Sequence, residues 1–189
     1  MKNFKIILIL INLFIFTACS SVQTTTKYEK KDNVTWKQVE PPVIILDLEP
    51  GDIVIKEKTI NPIGMFGHVA VMKNDRIIVD YPKLGNKSYT IDIDYWLEEG
   101  RDILVLRYKD MTDEFKKRLV KNMEKYFGKD YRISSDRMNT EGFYCSQYIW
   151  YIYYITAQEM GFELDLDSDG GSFVLPYDFI NSPYLEIVN

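Results

Sequence analysis

Residues 68–81 read HVAVMKNDRIIVDY. His68–Met72 is a short apolar run, Lys73-Asn74-Asp75 is a polar turn, and Arg76–Tyr81 is a second run rich in β-branched residues, closed by Pro82. Two such runs around a polar turn predict an antiparallel hairpin. His68 opens one strand and Asp80 ends the other, on arms of equal length, so the hairpin predicts an imidazole beside a carboxylate.

The pattern continues outward in both directions. Upstream, Pro41-Pro42 marks the expected start of the domain and Val43–Leu48 is apolar. Glu49-Pro50-Gly51-Asp52 is a turn before a short strand, Ile53–Ile55. Downstream, Tyr89–Ile93 alternates as a strand does, Ile93–Glu99 suits a short helix, and Ile103–Arg107 is another strand. The second half is helical. Thr112 is an N-cap followed by the first-turn acids Asp113 and Glu114. Phe115, Leu119, Met123 and Phe127 recur every fourth position, and Gly128 ends the run. A second apolar helix spans Cys145 to Met160 and stops at Gly161. From Asp165 onward, with Pro176 and Pro183, the chain reads as loop. The fold class expected is α+β: an antiparallel sheet with helices packed on one side, formed by residues 41–189.

The chain has 189 residues, 46% hydrophobic and 14% aromatic, enough for one domain with a real core. Its net charge of −5 argues against nucleic acid as a partner, since phosphate binding needs a basic face. There is one His and there are two Cys, Cys19 and Cys145. That count excludes two-His and Cys-rich zinc sites and disulfide scaffolds within one chain, and no metal or cofactor is expected.

Residues 1–18, MKNFKIILILINLFIFTA, join a lysine-bearing start to an apolar stretch shorter than the roughly 20 residues a spanning helix needs. Phe16-Thr17-Ala18-Cys19 then resembles the end of a bacterial lipoprotein signal, which implies lipidation of Cys19, export, and a membrane anchor in the cell envelope. Residues 19–40 follow as the lipidated Cys and a polar, flexible tether. Loss of residues 1–18, with Lys2 and Lys5 and no acid, takes the charge to −7. Cys145 becomes the one free thiol.

Cys145 sits where a loop becomes a helix. A helix N-terminus offers unpaired N–H groups and a positive dipole end, which favour a thiolate and can donate to an oxyanion. Thiolate, imidazole and orienting carboxylate are the parts of a cysteine nucleophile site, here Cys145, His68 and Asp80. Each taken alone is more often structural: a lone Cys is a small core residue and a lone His a satisfied one. Their joint position at element ends is what favours chemistry.

Gly51-Asp52-Ile53-Val54, Gly67-His68-Val69-Ala70-Val71, Ile78-Val79-Asp80, Gly128-Lys129-Asp130-Tyr131 and Phe143-Tyr144-Cys145-Ser146-Gln147-Tyr148 occur in that order. As a set they resemble the NlpC-type papain-like cysteine hydrolases, in the circularly permuted YiiX/YebB-like branch, over about residues 50–185. The resemblance implies Cys145 as nucleophile, His68 as base and Asp80 as the residue that orients it. It also implies Tyr131, with Tyr144 and Ser146, on the substrate and oxyanion side. Gln147 stands where the branch commonly has Glu, and Asp80 is one methylene shorter than the usual Glu.

The resemblance implies hydrolysis of an amide bond through an acyl-enzyme, with peptidoglycan peptides as the leading substrate. Hydrolysis or transfer of a lipid ester or thioester acyl group is the alternative, and a non-catalytic envelope binding module is a third. Tyr144, Tyr148, Trp150, Tyr151, Tyr153 and Tyr154 crowd the Cys145 helix, as core on one face and as support for a cleft on the remainder. Asp165-Leu166-Asp167-Ser168-Asp169-Gly170 matches the opening of a calcium loop, but its twelfth position is Pro176 and not Glu. A solvated acidic loop is therefore expected.

Overall fold

The computed structural model describes residues 34–41, 47–61 and 64–188. The signal-like segment, Cys19, the tether as far as Asn33 and residues 43–46 of the apolar run lie outside them.

Among the described residues eight strands and three helices are formed, in the order β1 (Ile53–Lys56), β2 (His68–Met72), β3 (Ile77–Asp80), β4 (Tyr89–Asp92), α1 (Ile93–Leu97), β5 (Ile103–Tyr108), α2 (Asp113–Lys125), β6 (Asp130–Tyr131), β7 (Gly142–Phe143), α3 (Cys145–Glu159) and β8 (Leu185–Ile187). A 3-10 helix, Pro176–Asn181, precedes β8. Six strands make one antiparallel sheet in the order β4-β3-β2-β1-β5-β8, and β6 and β7 form a separate parallel pair.

Alternation along the strands divides the core in two. Ile53, Ile55, Val69, Val71, Val79, Leu104 and Leu106 face α2 and α3, while Val54, Ala70, Met72, Ile78, Ile103 and Val105 face Ile93, Trp96 and Leu97 of α1. Helices therefore cover both faces of the sheet, not one as expected. The central strands are apolar on both sides, so both faces need cover. Helix α3 is buried almost all round: Tyr148, Ile149, Ile152, Tyr153 and Ala157 are sealed, and Trp150 and Tyr151 nearly so. It is a central helix, and burying each such side chain contributes about 1.5–3 kcal/mol. Helix α2 begins at Thr112, whose Oγ1 accepts from the Phe115 N–H at 3.1 Å. Phe115, Leu119 and Met123 are buried as the spacing predicts. Phe127 lies past the helix end and is exposed.

The Gly51-Asp52 turn is a structural lock. Tyr153 Oη donates to the Gly51 carbonyl. Asp52, 1% exposed, accepts from Arg107 Nε at 2.8 Å and Nη2 at 2.7 Å, tying β1 to β5. The bidentate geometry suits the planar guanidinium.

Three features differ from the sequence reading. Between β2 and β3 the register lies two residues on from the expected one: Val71 pairs with Val79 and Met72 with Ile78, where a turn at 73–75 would pair them with Ile77 and Arg76. In that register His68 and Asp80 are diagonal neighbours on one face rather than directly opposite. The tail expected as loop carries the 3-10 helix and the edge strand β8, which pairs with β5 through Tyr108 and Leu185. Packed residues also begin before Pro41. Val34 and Trp36 join the core, and Lys37 pairs with Ile103. A short peptide ladder and one Trp suffice for that, and neither shows as periodicity.

Candidate active site

Two elements carry the candidate reacting groups. His68 is the first residue of β2, preceded by Gly67 at φ +77°, a left-handed conformation that favours glycine. A Cβ there would lie 2.9 Å from the Tyr177 ring and 3.1 Å from the Lys56 carbonyl. The chain thus enters β2 tightly against the 3-10 helix. Cys145 is the first residue of α3. Its N-cap, Tyr144, is extended and places no side chain on the first-turn N–H groups. The dipole end and those amides lie at the sulfur.

His68 Nε2 lies 2.8 Å from Asp80 Oδ1, so the shorter carboxylate does reach the ring. With Nε2 engaged, Nδ1 is the nitrogen left for the sulfur. Burial alone would lower the His68 pKa. The Asp80 charge, the hydrogen bond to Asp80 and the hydrogen bond and charge of Cys145 outweigh it and push the pKa up to about 10. Asp80 is the mirror case. Burial would raise it, but the His68 cation and hydrogen bonds from His68, Trp96 and Tyr89 hold the carboxyl below its usual range. Both directions describe an imidazolium–carboxylate pair beside the Cys145 sulfur. Cys145 is buried, 8% exposed, and the His68 side chain is 18% exposed.

The remaining expected residues divide. Tyr131, on β6, is half-buried with Cys145, Asp80 and Tyr144 among the charges around its hydroxyl. Burial first, and those charges next, raise its pKa. It stands at the site. Tyr144 and Ser146 flank the sulfur, Ser146 Oγ lying 4.0 Å from Cys145 Sγ, and both hydroxyls are also engaged by backbone. Tyr144 Oη accepts from the Val174 N–H at 2.9 Å, and Ser146 Oγ donates to the Val174 carbonyl at 2.7 Å. The pair clamps the 172–175 loop across the start of α3, because a buried hydroxyl must find a partner and the Val174 backbone supplies one. Gln147, fully buried, explains its departure from Glu. Its Nε2 donates toward the carbonyls of Asp136, Arg137 and Asn139 at 3.2–3.5 Å, which an ionised carboxylate could not do.

Two residues around Asp80 escaped the sequence reading. Tyr89 Oη and Trp96 Nε1 both donate to Asp80 Oδ2, each at 3.0 Å. Tyr89 alternates like any strand residue and Trp96 reads as core, so no spacing announces either.

The Asp165–Gly170 segment is solvated only in part: Asp165, Asp169 and Gly170 are exposed. Asp167 and Ser168 are buried, and each of Asp165, Asp167 and Asp169 accepts the N–H two residues on. Carboxylate oxygens of Asp167, Asp169 and Asp178 lie within 4.8 Å of one another. Arg137 Nη1 lies 3.1 Å from Asp167 Oδ2, and Pro176 opens the 3-10 helix where a calcium loop has its Glu.

Comparison with known proteins agrees with the geometry. A family model for permuted papain-like amidases of the YaeF/YiiX (C92) kind matches residues 47–189. Among solved structures, the chain is similar to the crystal structure of metalloprotein YiiX from Escherichia coli O157:H7, with a TM-score of 0.52 and 16% identity. The match covers 75% of this chain and 96% of that one. At that identity the likeness is one of fold. No curated protein sequence matches the chain significantly.

Proposed function

The chain belongs to the permuted papain-like amidase family, a family of cysteine hydrolases acting on amides, and from that premise we propose that Cys145, His68 and Asp80 hydrolyse an amide bond in peptidoglycan peptides, at the envelope face of a membrane to which lipidated Cys19 holds the protein. The observation that carries the reading is the His68–Asp80 contact of 2.8 Å beside a sulfur at a helix N-terminus.

The Cys145 thiolate attacks the carbonyl carbon. The C–S bond forms and the carbonyl electron pair moves to oxygen, which takes hydrogen bonds from the first amides of α3 and the Tyr131 hydroxyl. Collapse breaks the C–N bond, and His68 gives its proton to the departing amine. Water then attacks the acyl-enzyme as neutral His68 takes its proton, releasing a carboxylic acid and restoring the thiolate–imidazolium pair. Asp80 keeps the ring oriented and stabilises its cationic form.

The test is incubation of the full chain with purified peptidoglycan and, separately, with phospholipid, followed by mass spectrometry of products and of Cys145. New peptide fragments and a peptidyl adduct on Cys145, both lost in Cys145→Ala, support the proposal. Free fatty acid with an acyl adduct moves the substrate to lipid esters. Equal products from Cys145→Ala end the cysteine mechanism.

A further inference from the structure

Lys56 ends β1 opposite His68 in the β1–β2 ladder, and it is only 3% exposed. Its Nζ lies 4.0 Å from the centroid of the Trp96 ring and 3.1 Å from Oε2 of Glu99, a side chain itself 63% exposed. Trp96 is buried, packs against the His68 ring at 5.9 Å, and gives its one N–H to Asp80 Oδ2. An ammonium is thus held inside the fold, with one indole between it and the carboxylate that grips the imidazole. Among the described residues its carboxylate hydrogen-bond partner is the surface Glu99.

Burying a lysine is costly, and an aliphatic side chain would fill the same space without the charge. Burial pulls the Lys56 pKa below the ordinary lysine value, while Glu99 and Asp80 oppose that. A cation on an indole face draws electron density from the ring, and the N–H on the ring edge becomes a stronger donor. Tyr89 and Trp96 together fill Asp80 Oδ2, which leaves Oδ1 as the oxygen aimed at His68.

We propose that Lys56 and Trp96 are positioning residues for the reaction: Lys56, pinned by Glu99, acts through the Trp96 ring to keep Asp80 ionised and turned toward His68. The inference rests on the Cys145–His68–Asp80 reading above. The groups facing Asp80 are Lys56 from β1, His68 from β2, Tyr89 from β4 and Trp96 from α1, with Cys145 of α3 and Tyr131 of β6 beyond the imidazole and Glu99 behind Lys56.

The test is the rate of Cys145 alkylation by iodoacetamide, from pH 4 to 9, on the full chain in detergent. Wild type is compared with Trp96→Phe, which keeps a ring but loses the N–H, and with Lys56→Met and Lys56→Arg. A lost hydrogen bond to a charged group changes an ionisation constant about tenfold. The acid limb is therefore expected to move up by about one pH unit in Trp96→Phe and Lys56→Met, and to return in Lys56→Arg, whose guanidinium also lies on an indole face. A purely structural role changes the unfolding midpoint and leaves the limb in place. Where Trp96→Phe does not fold, the Lys56→Met and Lys56→Arg pair decides. Variant limbs that superpose on wild type overturn this inference alone. A wild-type profile unaffected by His68→Ala overturns the reading beneath it.

Discussion

His68 Nε2 meets Asp80 Oδ1 at 2.8 Å although the two residues are diagonal, not opposite, in the β2–β3 ladder. Diagonal neighbours on one face lie about 7–8 Å apart at the backbone. An imidazole and a carboxymethyl group together span that distance, and Tyr89 and Trp96 fix the carboxylate from its far side. The contact therefore does not require the longer Glu.

This pair has a pH signature. The His68 pKa rises from an ordinary 6.5 to about 10, so its contribution to stability is full below pH 6.5 and is lost as pH rises through about 10. Urea midpoints should fall over that window in wild type. In Asp80→Asn the fall should be shallower, because the unpaired imidazole no longer holds its proton. Parallel curves for the two proteins would refute the ion pair.

Gly67→Ala places a Cβ 2.9 Å from the Tyr177 ring and 3.1 Å from the Lys56 carbonyl, at φ +77°. We expect a loss of about 1–3 kcal/mol in unfolding free energy and slower alkylation of Cys145, since His68 is the next residue. A variant as stable as wild type would show that the segment relaxes freely.

Removing one partner of a buried ion pair leaves the other charge uncompensated, at a cost of about 3–5 kcal/mol. Arg107→Met should therefore cost more than its surface position suggests, because it strands Asp52 at 1% exposure beneath the β1 turn. The double variant with Asp52→Asn should recover part of that loss. Thermal unfolding of the three proteins measures the coupling.

Asp178 behaves oppositely to Asp80. Burial, reinforced by the nearby Asp169 and Asp167 charges, pushes its pKa up to about 6, against the Leu175 N–H that favours the anion. An acid with a raised pKa destabilises the fold when ionised, so stability on its account grows as pH falls from about 6 toward 3.8. Asp178→Asn, which keeps an acceptor for Leu175, should raise the unfolding free energy by about 1–3 kcal/mol at pH 7.5 and have no such benefit near pH 4. Equal effects at both pH values would contradict the assignment.

Much of this site could be read before folding because its chemistry is scarce. One imidazole and one thiol in the domain leave few ways to build a nucleophile, and strand and helix ends are visible in periodicity. Tyr89, Trp96 and Lys56 were not legible, since a buried donor looks like any core residue until its partner is known. The backbone partners of Tyr144 and Ser146 were hidden for the same reason. Their hydroxyls go to the Val174 backbone, some thirty positions along the chain.

The order of residues alone determined which side chains could react, because hydrophobic period and turn chemistry are local and survive without partners. Only the folded arrangement decided which oxygen faces which nitrogen. A register shifted by two residues, an Arg107 reaching back to Asp52 and an ammonium laid on an indole all depend on contacts between distant segments, and no local pattern encodes them.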